Sequence, residues 1–402
     1  MRKRVLQIGM AVAFMFAAGG HQAFADGGAP EPNGIHAGGF VIHPGATLDI
    51  AADVNNGETQ DSVDGLIDIG AYVKTRMEDD SMYSWNNEVK FQWRQFWGIG
   101  DSDPDGGANV HVLSSADLFK TRLFRVAPTV SYTFVNEPED EYLRQDYKNH
   151  SINAGAAFYI QPGAGAIFSE RLSYNFHAHI YQEHDDISYL RHRVESVTRW
   201  NFLPNSSMAL NIDFTPITYL EEERQNSDIH NPNTSENSNS YPLRIRYSLQ
   251  GLILPRLSYR LGAGYAFVYY TNENKEHMFI MNAKLQYEFN EDVSLSVEYR
   301  KDFDNAIYGD YVKFHRVTAM FNGFWFNHLE TKAEVGYGYF DYRSLSADTR
   351  ADNLVSAQAN IAYYFFPGFS VGAEYRLRYN KSDVDLANYA RHLITLNVSY
   401  EY

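Results

Sequence analysis

Two kinds of residue in this sequence could do chemistry. The first is histidine: in "NFHAHIYQEHDD", His177 and His179 stand one residue apart, His184 and Asp185 follow, and His192 comes soon after. Residues two apart on an extended chain point the same way, so His177 and His179 would share a strand face and could begin a metal site. Such a site needs further ligands at fixed geometry, and nothing in the spacing enforces a third. We therefore expect hydrogen-bonding histidines, no bound metal and no cofactor. A serine nucleophile needs a base and an orienting group around it, and no compact constellation of that kind points to an enzyme.

The second kind is arginine and lysine at alternate positions. Lys90 and Arg94 share a row with Glu88 and Gln92, interleaved with Val89, Phe91 and Trp93. Arg244 and Arg246 form another such pair, and Glu374, Arg376 and Arg378 a third row. Cations on one face of a pore wall attract anions and set selectivity by their field. The same rows contain carboxylates, so Arg–Glu ladders that only fill and stiffen a lumen are the competing reading.

Both ideas require strands. The chain ends "HLITLNVSYEY", where Ile394, Leu396, Val398, Tyr400 and Tyr402 form an apolar row and Thr395, Asn397, Ser399 and Glu401 a polar one. A period of two is the mark of a strand with unlike faces. Comparable stretches recur along the chain, near 40–53, 64–77, 83–97, 115–126, 128–136, 147–160, 167–182, 187–202 and 207–220 in the first half. The second half continues near 241–253, 257–272, 277–289, 293–303, 311–323, 326–342, 351–365, 369–380 and 388–402. Short turns such as Ala127-Pro128 alternate with long polar loops, the longest running from Glu221 to Tyr241.

The start of the chain names the compartment. Arg2, Lys3 and Arg4 precede an apolar stretch and an Ala23-Phe24-Ala25 cleavage pattern, which reads as a secretory signal peptide over 1–25. No cysteine occurs, so neither disulfides nor thiolate metal sites are available. Beyond the signal no apolar run is long enough for a helical span. An exported chain rich in tyrosine and phenylalanine, with 30 and 26 of them, suits a closed barrel in lipid, because helices and closed barrels alone satisfy every backbone group there.

These readings combine into one expectation: an all-β, single transmembrane up-and-down antiparallel β-barrel of about eighteen strands, with sixteen as the alternative, over residues 39–402. A Gly/Pro-rich lead, 26–38, would be flexible and periplasmic. Aromatic clusters near strand ends would form interfacial girdles, and a soluble sandwich would need a second sheet that the pattern does not supply. The inward rows read net basic although the chain carries a formal charge of −16. The excess acid falls in loops, at Glu137, Glu139, Asp140, Glu141, Asp185, Asp186 and Glu221 to Glu223. Those runs lack the spaced ligands of a calcium loop and read as solvated surface charge. So acidic a chain is no nucleic-acid binder.

The C-terminal row Ile394, Leu396, Val398, Tyr400, Tyr402 resembles the signal that porin-like outer-membrane barrels present to the barrel-assembly machinery, with Tyr in place of the commoner terminal Phe. The opening "FVIHPGATLDIAADVN", Phe40 to Asn55, is similar to the first strand of porin-like barrels associated with exopolysaccharide export. The resemblance implies a bacterial outer-membrane channel, in contact with lipid and lipopolysaccharide, for anionic or carbohydrate solutes such as an anionic saccharide. Lys90, Arg94, Arg244, Arg246, Arg376 and Arg378 are the expected basic wall. The alternative is a non-conducting surface or scaffold barrel whose acidic loops bind a partner.

Overall fold

The structure, a computed structural model, describes residues 32–57, 61–77, 82–98, 106–120, 122–136, 148–160, 167–182, 188–220, 239–271, 275–305, 311–343, 349–384 and 387–402. The expected signal peptide, His184, the acids at 137–141, Asp185, Asp186 and Glu221 to Glu223 lie outside them.

The strands are β1 (Ile35–Ala37), β2 (Phe40–Gly57), β3 (Asp61–Met77), β4 (Tyr83–Gly98), β5 (Gly107–Leu118), β6 (Phe124–Asn136) and β7 (Lys148–Ile160). Next come β8 (Phe168–Tyr181), β9 (Tyr189–Leu203), β10 (Ser206–Phe214), β11 (Ile217–Tyr219), β12 (Leu243–Leu254) and β13 (Leu257–Tyr269). The last seven are β14 (Lys275–Glu288), β15 (Val293–Asn305), β16 (Tyr311–Trp325), β17 (Leu329–Arg343), β18 (Thr349–Phe366), β19 (Phe369–Ser382) and β20 (Tyr389–Glu401). Every neighbouring pair is antiparallel, and β20 pairs with β2 from Gly45↔Glu401 to Gly57↔Tyr389, which closes the sheet and removes both edges.

Strands β10 and β11 are one stave broken at Thr215-Pro216, since both pair with β9 and proline supplies no ladder donor. Strand β1 only folds back on β2, at Ile35↔Ile42 to Ala37↔Phe40, within the stretch read as a lead. The closed barrel therefore has eighteen strands, and the sixteen-strand alternative falls.

The fourth and fifth staves lie elsewhere than the sequence suggested. Strand β5 takes in "GANVHVLSS", read as loop, and the chain turns after Leu118, where Phe119 has φ 61°. Ala127 and Pro128 lie within β6, opposite Ala157 and Ala156. No β5 residue pairs with them, because that ladder passes from Leu118↔Val126 to Ser115↔Thr129. A proline is tolerated in a strand where the partner ladder is already interrupted.

Alternation sets the faces. On β4 Phe91 and Trp93 are 48% and 47% exposed, while Arg94, the next residue along, turns inward to Asp68. Rings cap the outer face at both ends. At the loop end four tyrosine hydroxyls meet histidine Nδ1 atoms: Tyr132–His150, Tyr174–His192 and Tyr299–His315 at 2.9 Å, and Tyr375–His392 at 2.8 Å. At the short-turn end Phe168 stacks on Trp200, and Phe369 on Phe366. An apolar outer band between two such girdles is what a barrel wall shows to lipid.

Candidate functional site: the charged lumen wall

The densest inward cluster is built around Asp302 on β15, which is 1% exposed. Arg300 Nη2 reaches its Oδ2 at 2.9 Å, Arg246 Nη2 reaches the same oxygen at 3.2 Å, and Arg244 Nε approaches Oδ1 at 3.4 Å. Arg244 and Arg246 belong to β12, so their side chains cross the inner face of β13 and β14 to get there. Glycine makes that path possible: a Cβ on Gly262 would stand 3.3 Å from Arg246 Cδ and would run into Asn282. Arg244 also donates to the Phe303 carbonyl at 2.9 Å and lies 4.4 Å from the Phe303 ring centroid. On its other side it meets Asp213, which also holds Arg193.

This cluster sits where the wall changes course. The β14–β15 ladder stops at Met281↔Lys301, although β14 continues toward the loop end as far as Lys275 and β15 as far as Asn305. Beyond that row Phe303 and Tyr311, which belong to the outward rows of β15 and β16, are buried with the inward Ala266, Val268, Tyr270 and Ile280. Lys313, also of an outward row, pairs with inward Glu276 at 3.2 Å, and Tyr311 stacks on Tyr270. The outer face of one segment packs on the inner face of the next, so the loop end of the β15–β16 hairpin leans into the lumen, over β13 and β14.

Most of the remaining inward cations are paired. Arg94 holds Asp68 at 2.5 and 2.7 Å, Arg376 pairs with Glu374, Arg391 with Asp53, Lys74 with Glu401, Arg316 with Glu334 and Arg350 with Asp352. Lys90, Arg199, Arg260, Lys284 and Arg378 are different: none has a carboxylate within salt-bridge distance among the described residues. Arg199 feels Arg260 and Arg171 as neighbouring charges, and Arg378 stands opposite Arg391 in a recess it shares with Arg316, Arg350 and Asn380.

Of the six cations singled out from sequence, the structure brings Arg244 and Arg246 together at one carboxylate. Arg94 and Arg376 are held singly, and Lys90 and Arg378 meet no acid among the described residues. Sequence reasoning missed Asp302, Asp213, Arg199 and Arg260. An Arg300-x-Asp302 spacing, repeated at Arg350-x-Asp352, was the available signal for the first. The two histidines do share the inner face: His177 Nδ1 meets Asn153 Oδ1, and both rings stack on Tyr189. His192 is on the other side of the sheet, opposite outward Phe176. No group of three metal-ligating side chains occurs among the described residues.

The expectation that no elbow signature such as G-x-S-x-G is present was wrong, because such a string occurs from Gly368 to Gly372. It begins at the β18–β19 turn and runs into a strand, whereas a nucleophile elbow leads from strand to helix. Its Ser370 hydroxyl is hydrogen-bonded to Ser399 at 2.7 Å. The C-terminal row is outward along β20, with Ile394, Leu396 and Tyr402 51%, 57% and 50% exposed.

These features define a closed, lipid-facing β-barrel with a charged interior. No known family profile matches the chain, and no curated protein matches it in sequence. In fold it is similar to three solved structures, each with a TM-score of 0.50: OccK2 (OpdF) and OpdO of Pseudomonas aeruginosa, and OccAB2 of Acinetobacter baumannii. The identities are 9%, 10% and 7%; the match covers 90% of this chain each time, and 98%, 97% and 98% of those chains. At such identity the likeness is one of fold alone.

Proposed function

We propose that the chain is a channel of the bacterial outer membrane, exported with a cleaved signal peptide, whose basic lumen passes anionic or hydroxyl-rich carbohydrate solutes. The observation that carries this reading is the presence of inward cations with no acid in reach among the described residues, Lys90, Arg199, Arg260, Lys284 and Arg378 among them. An arginine whose charge is not spent on a neighbouring carboxylate contributes its field to the water it faces, and a row of them favours anions. The similar barrels named above are outer-membrane porins, which supports a channel over a closed scaffold and supports the location. A role in exopolysaccharide export rests on the resemblance of the first strand, Phe40 to Asn55.

The test is the reversal potential of the purified barrel in a planar bilayer under a salt gradient. Anion selectivity is expected, shifting toward cations in R199Q/R260Q and in K90Q/R378Q, with charged saccharides acting as blockers. Cation selectivity in the unaltered protein would refute the basic-lumen reading. Absence of any conductance would favour a scaffold barrel that works through its acidic loops.

A further inference from the structure

We propose that the outer face of β13 and β14 at the loop end, with Lys301 and His315 from the last row where β15 and β16 stay in the wall, is a binding site for the phosphate groups of a membrane glycolipid. Lys275 lies 5.9 Å from the Tyr269 ring centroid and Lys301 6.0 Å from that of Phe279. His277 stacks on Tyr265 at 5.8 Å, and His315, directly opposite Lys301 in the ladder, is hydrogen-bonded to Tyr299. Four basic side chains thus stand among aromatic rings on the lipid side of the wall.

Among the described residues no acid answers their charge. Neither Lys275 nor Lys301 has a carboxylate within salt-bridge distance among the described residues. The adjacent acids, Glu276 and Asp302, are taken by Lys313 and by Arg244, Arg246 and Arg300 respectively. In a chain with 50 acidic and 34 basic residues, a basic patch on the lipid face that pairs with no acid among the described residues offers its charge to an anion from outside. Directly below it, toward the mid-wall, Phe279, Leu261 and Leu285 are 47%, 47% and 49% exposed. Phosphate above and acyl chain below is the profile of an anionic lipid at a membrane interface.

Because the long loops lie on this side, the ligand class is the phosphorylated, acylated saccharide of the outer leaflet; this orientation rests on the outer-membrane reading. The test compares K275Q/K301Q with the unaltered barrel in detergent. Binding of a bis-phosphorylated, acylated glucosamine disaccharide is measured by native mass spectrometry, beside the same lipid with its phosphates removed. Two interfacial lysines predict that binding weakens about thirtyfold in the variant, and by a similar factor on removing the phosphates. Equal binding of both lipids by both proteins would overturn the proposal. Bilayer conductance of the variant is expected unchanged, so failure of the lipid site and failure of the channel reading give different results.

Discussion

Replacing Asp302 with asparagine keeps the side-chain shape and removes one negative charge from among three guanidinium groups. The carboxylate is almost wholly buried, and Arg244, Arg246 and Arg300 lie at 3.4, 3.2 and 2.9 Å from it. The pair energies cannot simply be summed, because desolvation offsets much of the attraction. Removing one member of a buried ion cluster nevertheless leaves uncompensated charge, at a cost of about 3–5 kcal/mol. The position adds a second effect. Past Met281↔Lys301 no ladder holds β15 to β14, so Asp302 and the Phe303 carbonyl, both gripped by Arg244, do much to keep the hairpin end inside. D302N should lower the unfolding free energy in guanidinium by about 3–5 kcal/mol with the slope unchanged, and should raise single-channel conductance. Adding R246Q removes one of the stranded charges and should restore part of the loss. A D302N barrel within about 0.5 kcal/mol of the unaltered one, the range of an ordinary surface change, would refute the account of this cluster as a buried, charge-balanced anchor.

Leu396 on β20 faces lipid, so L396R should cost about 2–4 kcal/mol if the residue lies near mid-membrane, whereas T395R, on the lumen side of the same strand, should leave stability nearly unchanged. Heat-modifiable mobility of the folded barrel on a gel would separate the two. The chain has no cysteine, so E276C/K313C introduces a unique pair. Bridging it with a short bis-thiol reagent should pin the β15–β16 hairpin to β14 and quieten conductance fluctuations, and fluctuations of equal size before and after linkage would argue against a movable hairpin.

Part of this molecule could be read from local pattern alone. Row after row such as Val89, Phe91, Trp93 against Lys90, Gln92, Arg94 announces a strand with a lipid side and a water side, because successive side chains of an extended chain must point oppositely. That physics is local, so the strand-built architecture and the outward C-terminal row were legible, and the count near eighteen followed from the spacing of turns. The turn before β6 was misplaced because Pro128 looks like punctuation, and nothing local reveals that the β5–β6 ladder skips it.

Only the closed tertiary structure decided who meets whom across the lumen. Arg246 and Asp302 are 56 residues apart and three strands distant, joined because Gly262 and Gly264 leave the inner wall low between them. Parity within one strand also says nothing about the next when a loop of arbitrary length intervenes, so His192 could be placed on the opposite face from His177 only by the register of β8 on β9. The same holds for the charge of the pore. Sequence counts the arginines, but which of them are neutralised depends on side-chain reach across a sheet whose stagger is set by closure.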